Sequence, residues 1–371
     1  MPRLRALWLM PLIALATLLA LARPAAADEV NDSAPPVVAP ARALPTRHHI
    51  GQLKHSVQTL NNCGPAAIVS ALSYWGFDVS QETARRALRP YAESRGMSQT
   101  VIPYYVGEFG LNAKVRIDGN RDVIKTLVAN DVPVIVLQWI RENWRLGHFR
   151  VVQGYDDTLG VFYVNDSLLG PNLAIPYDSF DARWDYNWSR YIPIYDPSQI
   201  PTVAAILGPD WDDKGMFARR LPDLKAQVKA DPNDWQTWGR LVEALIGAER
   251  FQEALDTHDY YTARRGSTPV STQSNAGGAA PFQSASSQST TRMRILNKLE
   301  RYEEALAASD DALARGVASS SGAWGSASLW LQRGDALRGL GRVTEARAAY
   351  QRAVAMDGPY TEAGDRLASL S

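Results

Sequence analysis

The sequence predicts an α+β domain followed by an all-α region of paired helices. Three observations carry that reading. Between about residues 47 and 196, helical patterns come first and short antiparallel strand patterns second. From Asp234 onward a helix-pair pattern recurs. The chain of 371 residues is 46% hydrophobic, enough to furnish the cores of two domains.

The N-terminus reads as an export signal. Arg3 and Arg5 form a basic start, Ala6 to Leu21 an uncharged apolar run, and Ala25-Ala26-Ala27 a small-residue cleavage site before Asp28. The run is about 16 residues, short of the roughly 20 that span a bilayer, so a membrane is expected as a partner only if the signal stays uncleaved. Secretion or a periplasmic (extracytoplasmic) location follows from a cleaved signal. Residues 28–46, with Pro35, Pro36, Pro40 and Pro45, read as a semi-rigid tether. Lys plus Arg and Asp plus Glu number 39 each, with no long basic run. That argues against nucleic acid as a partner.

Cys63 is the only cysteine in the chain. In an oxidising compartment it can make no internal disulfide, so it is expected to be protected or used. Asn61 or Asn62 can cap a helix that continues through Ala66, Ala67, Ile68, Val69, Ala71, Leu72, Tyr74 and Trp75 and stops at Gly76. Cys63 then sits at the first turn, where unpaired N–H groups and the helix dipole favour thiolate. A lone cysteine also reads as a small buried hydrophobe.

Three more helices are expected: from Ser80 to about Leu88, from Ser98 to Gly110, and from Asn120 over Arg121 to about Asn130. Strands follow at Val132–Leu137, His148–Tyr155 and Gly160–Asn165. A hairpin turn centred near Asp157 places His148 directly opposite Asp166, with Cβ atoms about 5 Å apart. The carboxylate can then take the imidazole Nδ1–H and leave Nε2 as the base. Taken singly, the two also read as a strand histidine and a turn aspartate. Together the parts follow the logic of a thiol nucleophile, a base and an orienting carboxylate. The N–H of Cys63 and the side-chain amide of Gln58 are the candidate oxyanion donors.

Three stretches resemble the C39-like cysteine peptidases: Gln58 with Asn62-Cys63-Gly64-Pro65-Ala66, then Gly147-His148-Phe149-Arg150-Val151-Val152-Gln153-Gly154-Tyr155-Asp156, then Asn165-Asp166. The resemblance covers about residues 50 to 196. It implies a papain-like fold, with Cys63 as nucleophile, His148 as base, Asp166 as third member and Gln58 in the oxyanion hole. The family's glutamine lies about six residues before the cysteine, and Gln58 lies five before, so Asn61, Asn62 and Gln52 are alternatives. Leader-cleaving members are fused to a membrane transporter. No such segment is read here, so removal of double-glycine leaders is not expected.

Trp139, Trp144, Trp184 and Trp188 are expected chiefly as packing aromatics, with a cleft lining as the alternative. Asn187-Trp188 is similar to the Asn-Trp pair of papain-like enzymes, but Asp166 fits the third position better. His48, His49 and His55 match no ligand spacing and read as tether residues. No metal or cofactor is expected.

Residues 197–214, with Pro197, Pro201 and Pro209, read as a linker. A helix from Met216 to about Ala230 opens the segment 215–371. Three units follow: Trp235 to Leu255, Met293 to Leu306 and Trp330 to Ala353. They resemble the tetratricopeptide repeat, with small Gly334, Ala346 and Ala353 at the helix crossing. Ala254, Ala305 and Ala346 are spaced 51 and 41 residues apart, against about 34 in that repeat. The excess falls in low-complexity loops, above all 265–291. Such an array offers a concave surface to a protein partner; simple packing on the first domain is the alternative.

The sequence therefore points to an exported cysteine peptidase with a helical docking module, acting on a peptide or protein substrate. The alternative is a non-catalytic peptide- or protein-binding scaffold on a peptidase-like fold.

Overall fold

A computed structural model describes residues 44–89, 96–185, 188–265, 285–316 and 322–370. The export signal, nearly all of the tether and Asn187 lie outside the described residues. So does most of the 265–291 loop. The described residues begin with β1 (Arg47–His49), α1 (Cys63–Tyr74), α2 (Gln81–Leu88), α3 (Val101–Gly107), β2 (Asn112–Ala113) and α4 (Arg121–Ala129). Then come β3 (Val134–Arg141), β4 (Trp144–Asp156), β5 (Val161–Asp166), β6 (Gly170–Pro176), α5 (Tyr177–Trp184) and β7 (Tyr191–Tyr195). The strands form one sheet in the order β2-β7-β3-β4-β5-β6, with antiparallel pairing throughout. β1 pairs with the far end of β4, beyond where β3 stops.

This is the expected antiparallel sheet with helices, and its local signals are visible. Ser80 caps α2 by accepting from Thr83 N, and Asn120 caps α4 by accepting from Val123 N. α1 and α4 pack on β3 and β4, while α5 packs on β3, β5 and β6. Ile68, Leu72, Ile102, Leu127, Val134, Val151 and Phe162 are among the side chains of one continuous core. A Cβ at Gly154 would lie 2.6 Å from the His49 ring and 3.0 Å from the His48 carbonyl. Only glycine lets β1 lie against β4 there.

Several expectations are corrected. His48 and His49 are strand residues of β1 rather than part of a tether. The β4–β5 register is shifted: Val151 faces Asn165 and Val152 faces Val164, and a bulge at Gln153 precedes the Gly154–Tyr163 pair. The turn spans 157–160 rather than centring on Asp157. Two residues of shift preserve the face, so His148 and Asp166 are diagonal neighbours rather than directly opposed. The segment 197–214 holds a helix, α6 (Ile200–Leu207), between two 3-10 turns. Its Val203 and Leu207 enter the core of the sheet domain. The prolines sit in first turns, where a missing N–H costs nothing.

The remainder is all-helical: α7 (Asp213–Ala230), α8 (Trp235–Gly247), α9 (Phe251–Arg265), α10 (Ala285–Lys298), α11 (Tyr302–Ala314), α12 (Gly322–Gly339), α13 (Val343–Asp357) and α14 (Glu362–Ala368). Residues 285–291, expected as loop, are the first turns of α10. Successive helices pack on one another, α12 most extensively on α13. A Cβ at Gly334 would fall 2.4 Å from the Tyr350 ring, so the α12–α13 crossing depends on that missing carbon. Ile117 and Trp188 of the sheet domain bury against α7 and α8 in a second core. Arg190 bonds Glu243 at 2.6 Å, and Tyr360 stacks edge-on with Tyr105 at 5.2 Å.

Candidate active site

The start of α1 decides the chemistry available to Cys63. Asn62 occupies the N-cap position, but its side chain makes no cap hydrogen bond, contrary to the capping expected of it. It is buried and committed elsewhere: Nδ2 donates to Thr59 Oγ1 at 2.5 Å, and Oδ1 accepts from the buried Arg89 guanidinium. Both polar atoms of the Asn62 side chain are thereby engaged. Ala66 N bonds Asn62 O at 3.0 Å, and Pro65 has no N–H. The Cys63 and Gly64 amides are thus the donors the helix start presents to the site.

His148 stands on β4, and its Nε2–H donates to Asp166 Oδ1 at 2.8 Å. Both side chains are buried. The sequence expectation had the ring the other way round. Here Nε2 holds the carboxylate, so Nδ1 is the ring nitrogen left for Cys63, and the thiol and the ring act on each other's charge. Burial alone would push the Cys63 thiol up. The His148 hydrogen bond and charge, with the backbone N–H groups of Phe149 and Gly64, outweigh it and bring the thiol below its ordinary value. His148 moves the other way. Burial opposes its charge, but Asp166 and Cys63 together raise it. The opposed shifts mean that each group favours the charged form of the other.

Asp166 is held in place from four directions. Oδ1 also accepts from Leu168 N at 2.8 Å and Leu169 N at 2.9 Å, and Oδ2 accepts from Arg150 Nε at 2.6 Å. Burial works against the carboxylate, yet His148, Arg150 and the Leu168 amide keep it well below the usual carboxylate range. Arg150 is itself buried. It donates to Gln138 Oε1 at 3.2 Å, Trp139 O at 3.0 Å and Ile140 O at 2.6 Å. Gln138 in turn donates to Phe180 O at 2.9 Å. The Arg150 and Gln138 support was not read from the sequence. Its signal was present in Arg150 itself, a charge two positions from His148 on an otherwise apolar strand face.

Gln58 lies beside the end of β5. Its backbone N bonds Ser167 O at 2.9 Å, and its Oε1 accepts from Ser167 Oγ at 2.9 Å. This anchors the residue next to Asp166 and turns its Nε2 away from Ser167. Asn61 has a positive φ of 61°, and Gln52 is exposed. His55 Nδ1 meets Asn165 Oδ1 at 2.8 Å, and His48 and His49 contact Asp131 and Asn172. Trp184 is core, Trp188 is packed on Phe217, Trp139 is half-buried and Trp144 is exposed.

Residues 48–191 match the model of the Peptidase_C39 like family. Among solved structures, one similar chain is a double glycine motif protease from an AMS/PCAT transporter in complex with the leader peptide. It is 21% identical with a TM-score of 0.32, over 40% of this chain and 94% of that one. The peptidase domain of Streptococcus ComA, a bi-functional ABC transporter involved in a quorum sensing pathway, is 18% identical. Its TM-score is 0.32, over 39% of this chain and 98% of that one. A MamA double mutant is 19% identical with a TM-score of 0.30, over 42% and 75% of the two chains. No curated protein matches the chain.

Proposed function

We propose that the protein is an exported cysteine peptidase that hydrolyses a peptide or protein through an acyl-enzyme, with its helical region as a protein-docking module similar to tetratricopeptide repeats. The observation that carries this reading is the buried His148–Asp166 hydrogen bond beside Cys63, with the thiol shifted down and the imidazole up. The C39-like match over the same residues supports it. The export reading rests on the sequence of residues 1–27.

In this mechanism the Cys63 thiolate attacks the amide carbonyl. The oxyanion forms against Cys63 N–H and Gln58 Nε2. The proton held on His148 Nδ1 passes to the departing amine as the C–N bond breaks. Water then enters, gives a proton to His148 and cleaves the thioester, which restores the thiolate–imidazolium pair. Asp166 keeps the ring oriented throughout and stabilises its charge.

Cys63→Ala tests the reading directly. Turnover of a peptide library by the purified full chain is expected to vanish, while circular dichroism and the melting temperature stay as in the native protein. Hydrolysis that survives in this variant removes Cys63 from the mechanism. A native protein that binds peptides and never cleaves them points to a scaffold.

A further inference from the structure

The first residue of α2, Gln81, grips the loop ahead of the nucleophile on both sides of Gln58. Gln81 Nε2 donates to Ser56 Oγ at 2.8 Å and to Val57 O at 3.0 Å. Its Oε1 accepts from Thr59 N at 2.8 Å and from Thr59 Oγ1 at 3.0 Å. Both amide hydrogens and both carbonyl lone pairs are used. Thr59 Oγ1 then receives Asn62 Nδ2, which links the clamp to the residue before Cys63. The far wall is Ser167, which binds Gln58 through main chain and side chain. α2 itself is fixed by its Ser80 cap and by buried Ala84 and Leu88, and it packs on α1.

We infer that Gln81 is a positioning residue that presets the Gln58 loop as part of the oxyanion hole. The inference rests on the peptidase reading above. A donor stabilises a transition state only if it is in place before charge develops, because reorganising it during reaction forfeits the gain. Residues 56–59 have no helix or strand hydrogen bonds of their own to supply that rigidity. Gln81 supplies it from a neighbouring helix. It touches neither the thiol nor the imidazole, so it acts on oxyanion stabilisation and leaves the nucleophile alone.

Two probes on the full chain separate these effects. Iodoacetamide alkylation reads the thiolate. Acylation by p-nitrophenyl acetate, in which the sulfur–acyl bond forms, the ester C–O bond breaks and p-nitrophenolate leaves, reads thiolate and oxyanion stabilisation together. Loss of one oxyanion donor costs about 10²–10³-fold in rate, and Gln58→Ala is expected in that range. Gln81→Met, close in shape and without hydrogen bonds, should slow acylation by about ten-fold or more and leave alkylation within about two-fold. The Gln58→Ala/Gln81→Met double variant should acylate like Gln58→Ala alone. Gln81→Glu keeps the Thr59 acceptor and loses both donors, and it should fall between Met and native; it also serves if the Met variant fails to fold. Native acylation rates in both Gln81 variants overturn the inference. So does a full additional loss in the double variant, or a parallel fall in alkylation. A native protein that acylates no faster than Cys63→Ala overturns the peptidase reading itself.

Discussion

Cys63 and His148 shift in opposite directions because each stabilises the charged form of the other. A lowered thiol value means that thiolate persists below the ordinary cysteine value of about 8.5. A free thiol loses about ten-fold in alkylation rate per pH unit there, as its thiolate fraction falls. As the pH falls, native Cys63 is expected to keep its alkylation rate to a lower pH than a free thiol does, measured with iodoacetamide. In His148→Ala the hydrogen bond and the charge are gone and burial remains, so the steep dependence should return and the rate at pH 7 should drop. A flat profile in both forms would contradict the coupling. The sequence made this pair legible through the Cys63 helix start and the Gly147-His148 strand. Ring orientation was not legible, since either imidazole nitrogen satisfies the same pattern. Arg150 stood out as a charge on an apolar strand face, but its pairing with Asp166 was hidden. It depends on a register set by a bulge at Gln153, and an extra residue in a ladder leaves no mark in the hydrophobic alternation. The energetic stake is large. A buried charge left without its partner costs about 3–5 kcal/mol.

Among the elements, helices with apolar stripes and capping residues were readable, whereas β6, α5 and α6 were not. Gly170–Pro176 contains glycine, asparagine and two prolines, which read as turn. As an edge strand it tolerates them. α5 offers only Phe180 and Trp184 as buried anchors in eight residues, too short a pattern for periodicity. The helical pairs were readable because their packing is written in residue size. Gly334 leaves room for the Tyr350 ring, whose hydroxyl donates to Asp335 Oδ1 at 2.8 Å. Gly334→Leu drives a side chain into that ring. Overpacking of this kind costs about 1–3 kcal/mol. The urea midpoint followed by helical circular dichroism should fall, with iodoacetamide reactivity at Cys63 retained.

In the molecule as a whole, the sheet domain and the helical region share apolar surface. Trp188 packs on Phe217, with the Arg190 and Arg240 guanidiniums over its ring, and Ile117 joins the same core. Arg190 and Glu243 add a salt bridge at the edge of this contact. Nothing in the sequence assigned Trp188 to this contact, because the pattern that marks a core does not say which core. Replacing a buried tryptophan by alanine costs about 3–5 kcal/mol. Calorimetry should therefore resolve two unfolding transitions in Trp188→Ala/Glu243→Ala where the native chain gives one. A single transition at the native temperature in the double variant would mean that the two parts are joined by other contacts.

The solitary sulfhydryl has a practical corollary. With one thiol in 371 residues, only partly shielded from solvent, each molecule can take up at most one equivalent of a thiol-selective electrophile. The stoichiometry of labelling is thus a head-count of reactive Cys63 thiols. Any preparation can be standardised by mass spectrometry of the intact chain before a natural substrate has been found.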